Sequence, residues 1–330
     1  MTPSVNKLIY NEMLKLVKSK RLLVVTIIIG IMITMFTYAQ HREMENVKKR
    51  IGDTDWRVTL QQSIVDMQNR IGSSGISEEF RSQLKVRIDQ SQYYLDNNIN
   101  PQEPGAPTFL RVFLDNSIQL LLPLMVMIIS ADMVSSEKSL GTIKLLLTRP
   151  VRRWKILLSK YITLLLSVSF ILFIFGLFSY LISGLFFGYA GWTAPILTGF
   201  TVQAGELNTA NVHLIPQWQY ILMIFGLGWF VSVVVGTLSF MFSVLIKSTA
   251  AGMGAMLAFL ISGSIISSIA SSWEAAKYFF MVNLRLTDYL QGNIPPIEGM
   301  SLPFSLIVLS IWGVAGIIIS FLVFTKKDVY

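Results

Sequence analysis

Six long apolar runs divide the chain, and the polar intervals between them are short everywhere except one. The runs occupy residues 22–39, 117–134, 156–188, 219–246, 250–270 and 302–325. About 20 apolar residues in a helix cross a hydrocarbon core about 30 Å thick. Lipid demands that every backbone polar group be paired within its own segment, so each run is predicted to be a transmembrane helix. The third run is too long for one perpendicular crossing, so it must tilt or project from the membrane. Ahead of the first run, Tyr10, Met13, Leu14 and Val17 recur at helical spacing within residues 1–21. That pattern predicts an amphipathic helix lying in the membrane interface, with a solvated basic tail as the alternative.

The one long polar interval, 40–116, carries its own periodicity. Trp56, Leu60, Ile64, Met67 and Ile71 form one helical stripe, and Phe80, Leu84, Ile88 and Leu95 form a second. Gly72-Ser73-Ser74-Gly75 separates them, which predicts a helical hairpin. Asp53 and Ser77 are its expected N-caps, and Pro101, Pro104 and Pro107 mark a linker to the second span. Residues 189–218 contain Pro195, Gly199, Gly205 and Pro216 without Lys or Arg, and are expected to be an external loop. The fifth run is rich in small residues, which allow close helix packing within the chain or at a subunit seam. In residues 271–301, aromatic and leucine positions alternate with charges, so one or two short helices are expected at the outer interface or dipping partly into it. The fold class is therefore an all-α polytopic membrane protein with six transmembrane helices, an N-terminal interfacial helix, a cytoplasmic coupling segment and an extracellular helical hairpin.

Composition agrees. Of the 330 residues, 53% are hydrophobic and only 14% charged, where a soluble domain carries about a quarter. Fifteen of the 27 Lys and Arg residues fall in four segments: 1–21, 134–160, Lys247 and Lys326-Lys327. This is the positive-inside pattern, so both termini are expected in the cytoplasm of a plasma-membrane protein. The same distribution explains the net charge of +8 without nucleic acid. A cleaved signal peptide ending at Ala39 is disfavoured, because the apolar run is long and its N-terminal flank amphipathic. There is no cysteine, hence no disulfide framework or thiolate metal site.

Catalytic chemistry is not in evidence. No phosphate-binding Gly-x-x-x-x-Gly-Lys-Ser/Thr and no His-Glu-x-x-His occurs, and His41 and His213 fall in separate segments. The runs hold few charges, Asp132 and Glu137 standing at one end, which argues against an ion-coupled transporter. A chain that moves cargo without an energy source of its own needs a motor supplied in trans.

The segment 135–155 carries a further signal. Glu137-x-x-x-Gly141-Thr142, then Leu145-Leu146-Leu147-Thr148-Arg149-Pro150, then Arg153 and Lys160, resembles the cytoplasmic signature of ABC type-2 transporter permeases. Ser159 stands where that family usually has Gly before the Lys. The resemblance implies a fold similar to the type V exporters. It implies a membrane subunit that is not itself an enzyme, binds no cofactor or metal, and works with a separate ABC ATPase that binds the ATP. A second permease subunit, identical or related, and membrane lipid complete the expected partners. The implied cargo is amphipathic or hydrophobic: a peptide, antibiotic, lipid or envelope component. Glu137, Gly141, Thr142, Leu146, Arg149, Pro150 and Arg153 are the candidate ATPase-coupling residues, with Tyr10, Met13, Leu14 and Val17 forming the interfacial helix. Gly141 permits a sharp turn or a close backbone approach, and Pro150 a second break. The arginines suit a motor surface or lipid phosphate, or serve topology alone. Two other readings stay open: a membrane sensor or scaffold whose hairpin binds a ligand, and an ion-coupled secondary transporter.

Overall fold

The computed structural model describes residues 4–52, 55–73, 75–142, 151–203, 205–269 and 273–326. The candidates Leu146, Arg149 and Pro150, and the expected cap Asp53, lie outside them. Among the described residues the chain is mostly helical, with five helices long and apolar enough to cross a membrane and a sixth crossing if one bent helix pair counts as a single span. The protein is thus a multi-pass helical membrane protein.

Helix α1, Val5–Lys18, precedes α2, Arg21–Ile51. At about 1.5 Å per residue, the 31 residues of α2 exceed a membrane crossing. The apolar run predicts an end near residue 39, yet the helix continues. Residues 40–51 contain neither Gly nor Pro, and Gly52 (φ +82°) ends it. The hairpin follows as α3, Trp56–Ile71, and α4, Glu78–Asp96. Ser77 caps α4, its hydroxyl accepting the Phe80 N–H at 3.2 Å. Asp55 caps α3, accepting the Arg57 N–H at 3.2 Å. Ile64, Leu84 and Val86 are buried, while Phe80 is exposed and does not join the expected stripe.

The second span, expected as one transmembrane helix over 117–134, is bent. Helix α5, Ala106–Ser117, and α6, Leu121–Ser130, with its continuation to Ser139, meet at 64°. Pro123 lies in the first turn of α6, where its missing N–H is tolerated but a helix could not continue backwards through it. Leu120 accordingly leaves helical geometry (φ −131°). A short helix α7, Ser135–Ser139, closes this limb.

Helix α8, Arg153–Phe187, is one continuous helix of 35 residues. The interval after it is not only loop. Strands β1 (Pro195–Thr198) and β4 (His213–Pro216) pair antiparallel, with Pro195 opposite Pro216 and Thr198 opposite His213. Strands β2 (Thr201–Gln203) and β3 (Glu206–Asn208) form a second antiparallel pair. Two short strand pairs thus join an otherwise helical fold; ladders of three or four residues are too short to show a two-residue period against so many Gly and Pro.

Helix α9 (Gln217–Leu245), α10 (Thr249–Ile269) and α12 (Leu302–Lys326) complete the bundle. Between α10 and α12, two 3-10 turns (Glu274–Tyr278 and Phe280–Val282) precede the one-turn α11, Asp288–Gln291. The Phe280 ring meets Phe259 of α10 and Trp312 of α12 at centroid distances of 6.0 and 5.6 Å. This interval therefore folds back into the bundle.

Helices α8 and α9 run antiparallel. Tyr161 pairs with Thr237, Ser169 with Trp229, and Gly176 lies beside Phe225. Gly236 lets α9 close on α6, since a Cβ there would stand 2.9 Å from Val126. These contacts place the start of α2, the end of α7, the start of α8 and the end of α9 at one end of the bundle. Because basic residues cluster there, we call it the basic end. The hairpin, the strands and α11 lie at the other.

Candidate functional site

At the basic end, three helices that meet nowhere in sequence contribute to one closed ring of charges. Helix α1 supplies Glu12 and, one turn on, Lys15. Helix α7 supplies Glu137 and α8 supplies Lys160. The Lys160 Nζ donates to Glu12 Oε2 at 2.8 Å, ion-pairs with Glu137 Oε1 at 2.8 Å, and donates to the Met133 carbonyl at 3.0 Å. Its three protons thus have three acceptors. Lys15 Nζ lies 2.8 Å from both Glu12 Oε1 and Glu137 Oε1. Signs alternate around the ring and the sum is zero.

Burial makes this arrangement consequential. The Lys160 side chain is 1% exposed, Glu12 and Glu137 are 12% and 13%, and only Lys15 reaches 50%. A buried ion is tolerable only when paired and hydrogen-bonded. Burial works against the Lys15 charge, but its hydrogen bonds and attraction to Glu12 and Glu137 outweigh that and hold the ammonium above its ordinary value.

A second set of bonds ties the same limb to the far side of the bundle. Arg21, opening α2, ion-pairs with Asp132. Thr249, opening α10, donates to Asp132 Oδ1 at 3.0 Å and bonds the Ser135 hydroxyl at 2.7 Å. The Ser243 hydroxyl of α9 accepts the N–H groups of Val134 and Ser135 at 3.0 and 2.9 Å. Lys138 donates to the Val244 carbonyl. Residues 132–138 are therefore gripped by α1, α2, α8, α9 and α10 together.

The expected coupling residues divide accordingly. Glu137 is in the ring, and the Thr142 hydroxyl donates to the Glu137 carbonyl at 3.4 Å. Gly141 holds φ +70°, with no described atom within 4 Å of where a Cβ would sit. Its positive φ is the geometry of a turn. Arg153 opens α8. On α1, Tyr10, Leu14 and Val17 are exposed at 65%, 37% and 60%, and Met13 is half-buried. Tyr10, Leu14 and Val17 thus face away from the protein. Leu16 instead packs into the core, and Glu12, on the polar face in the sequence pattern, points into the protein.

The sequence pattern puts Glu12 and Lys15 on the polar face of α1 without a partner, counts Arg21 only toward the basic flank, and treats Lys160 only as a motif position. One signal was available: a lysine inside an apolar run needs a counter-charge, and Glu12 is the single acid of a basic helix. Among the described residues no group of three or more His, Cys, Asp or Glu is placed to hold a metal.

Fold and site together define a polytopic helical membrane protein whose first, second and third spanning segments are locked by buried ions at one end. The chain belongs to the family described as a protein of unknown function, DUF2705, whose model matches residues 79–330. It is 29% identical over 333 residues to the uncharacterized protein YhcI of Bacillus subtilis (strain 168), covering 98% of each chain. It is also 29% identical over 216 residues to the uncharacterized membrane protein YdbK of the same organism, covering 64% of this chain and 80% of YdbK.

Proposed function

We propose that this chain is the membrane-spanning subunit of an ATP-binding-cassette exporter, driven by a separate ATPase that docks at the basic end. The observation that carries the reading is the Glu12–Lys15–Glu137–Lys160 ring, set immediately before the Gly141–Thr142 turn. A motor pushing on the segment after Thr142 has two routes into the bundle. One runs through the ring to α1 and α8; the other runs through Ser243 and Thr249 to α9 and α10. Packed helices held by such fixed contacts move as rigid bodies, which turns a local push into a change of helix arrangement. In this reading the basic end is cytoplasmic, α1 lies in the inner interface, and a second permease subunit completes the pathway. The cargo is amphipathic or hydrophobic. Co-purification from native membranes with a nucleotide-hydrolysing subunit, whose activity rises with the permease, tests it. A chain that purifies without such a subunit argues against it.

A sensor reading draws on a different observation. The Gln90 amide of hairpin helix α4 donates to the carbonyls of Gln291 and Gly292 at 2.9 and 3.2 Å. Gln291 in turn donates to Asp115 of α5. A ligand moving the hairpin would shift the bent span directly. Loss of ligand response on Gln90→Ala, without loss of folding, separates this role from transport.

A further inference from the structure

At the hairpin end, a cavity of about 90 Å³ opens between α4, α5 and α11, far from the ion ring. Such a volume, open on one side, holds a few waters or one small polar group, and is too small for a drug-sized molecule. Its lining is almost entirely polar. Asp115 stands at its wall; Gln291 donates to Oδ2 and the Thr287 hydroxyl also reaches the carboxylate. The other oxygen, Oδ1, is buried and finds no hydrogen-bond donor among the described residues. A buried carboxylate oxygen left unpaired is costly, and in a polar cavity it marks a place for a donor. Asp288 lines the same cavity and accepts from the Asn293 amide at 3.0 Å. Two cations also share the walls, Arg87 of α4 and Arg285, the latter 3.7 Å from Asp288.

This charge pattern is selective. Two arginines disfavour a bare divalent metal, and two carboxylates disfavour a simple anion. A ligand carrying both signs suits walls that present both. We propose that the cavity binds a phosphoethanolamine group, its ammonium donating to Asp115 Oδ1 and its phosphate held by Arg87 and Arg285. The ammonium supplies the hydrogen-bond donor that Oδ1 lacks. Arginine suits phosphate through its planar pair of N–H donors. The group can come from a phospholipid in the leaflet at the hairpin end or from a free headgroup. The inference is independent of the exporter reading and holds whether or not an ATPase drives the chain.

The test uses the full-length protein in detergent, with binding followed by calorimetry and by thermal shift. O-phosphoethanolamine is expected to bind saturably. O-phosphocholine, whose nitrogen has no N–H, should bind about tenfold more weakly, in keeping with loss of a charged hydrogen bond. Inorganic phosphate alone should give no saturable effect. Asp115→Asn keeps the shape and should weaken binding about tenfold. Arg87→Gln, at an exposed side chain, guards against misfolding of the buried variant and should weaken binding severalfold. Phosphatidylethanolamine retained through purification and displaced by O-phosphoethanolamine identifies the lipid as the source. Saturable binding of the soluble headgroup to protein carrying no such lipid identifies the free group. Equal binding of phosphate or phosphocholine, undiminished binding in both variants, or no saturable binding of either source overturns the proposal.

Discussion

Lys160 Nζ stands 2.8 Å from Glu137 Oε1 with its side chain 1% exposed, so the start of α8 cannot shift against α7 without exposing or stranding a charge. Removing the lysine leaves Glu12 and Glu137 with only Lys15 as their shared counter-charge in a poorly hydrated site. Breaking a buried pair from one side costs about 3–5 kcal/mol. Lys160→Met is therefore expected to lower the unfolding midpoint sharply in detergent. Lys160→Met combined with Glu137→Gln should cost less than the sum of the two single changes, because the groups share one network. Strict additivity in that cycle would show that the ring carries no coupling energy.

Ser243 is the counterpart on the other side. Its hydroxyl accepts two N–H groups, from Val134 and Ser135, and Ser243→Ala leaves both without this acceptor. The expected loss is about 1–3 kcal/mol, with faster hydrogen exchange at residues 132–138 measured by mass spectrometry. Unchanged exchange there would remove α9 from the route of transmission.

The bent span depends on how closely α9 approaches α6. Gly236→Val places a Cβ 2.9 Å from Val126, and overpacking of this kind costs about 1–3 kcal/mol. A thermal unfolding curve indistinguishable from wild type would mean that the two helices do not pack as described.

Because the chain has no cysteine, a single Thr142→Cys substitution reports sidedness without background. In intact cells a membrane-impermeant maleimide should leave it unlabelled, and label it once the membrane is opened. Labelling in intact cells would put the basic end outside and reverse the topology.

The spans were legible because an apolar run of about 20 residues has few other structural uses in a membrane protein. The bend was also written in the sequence, at Pro123, but the apolar run around it masked the break. The ring was not legible. Lys15 and Glu137 are 122 positions apart, and Lys160 and Glu12 are 148; no periodicity links such pairs. Lys160 looks like an ordinary basic residue at a membrane boundary until α1 is seen folded against α8. The strand pairs were hidden for a different reason: Pro195 and Pro216 end the β1–β4 ladder opposite each other, and proline pairs read as loop.

Gly141 is where the account is most exposed. Its φ of +70° suits glycine, and a β-branched residue in left-handed geometry costs about 1–2 kcal/mol, too little to prevent insertion but enough to move the turn. The deciding measurement is ATP hydrolysis by the complex purified from native membranes, comparing wild type with Glu137→Ala and Gly141→Val. The account predicts a co-purifying ATPase whose stimulation by the permease is lost in both variants while the membrane subunit still folds. No co-purifying ATPase, or full stimulation in both variants, would contradict it.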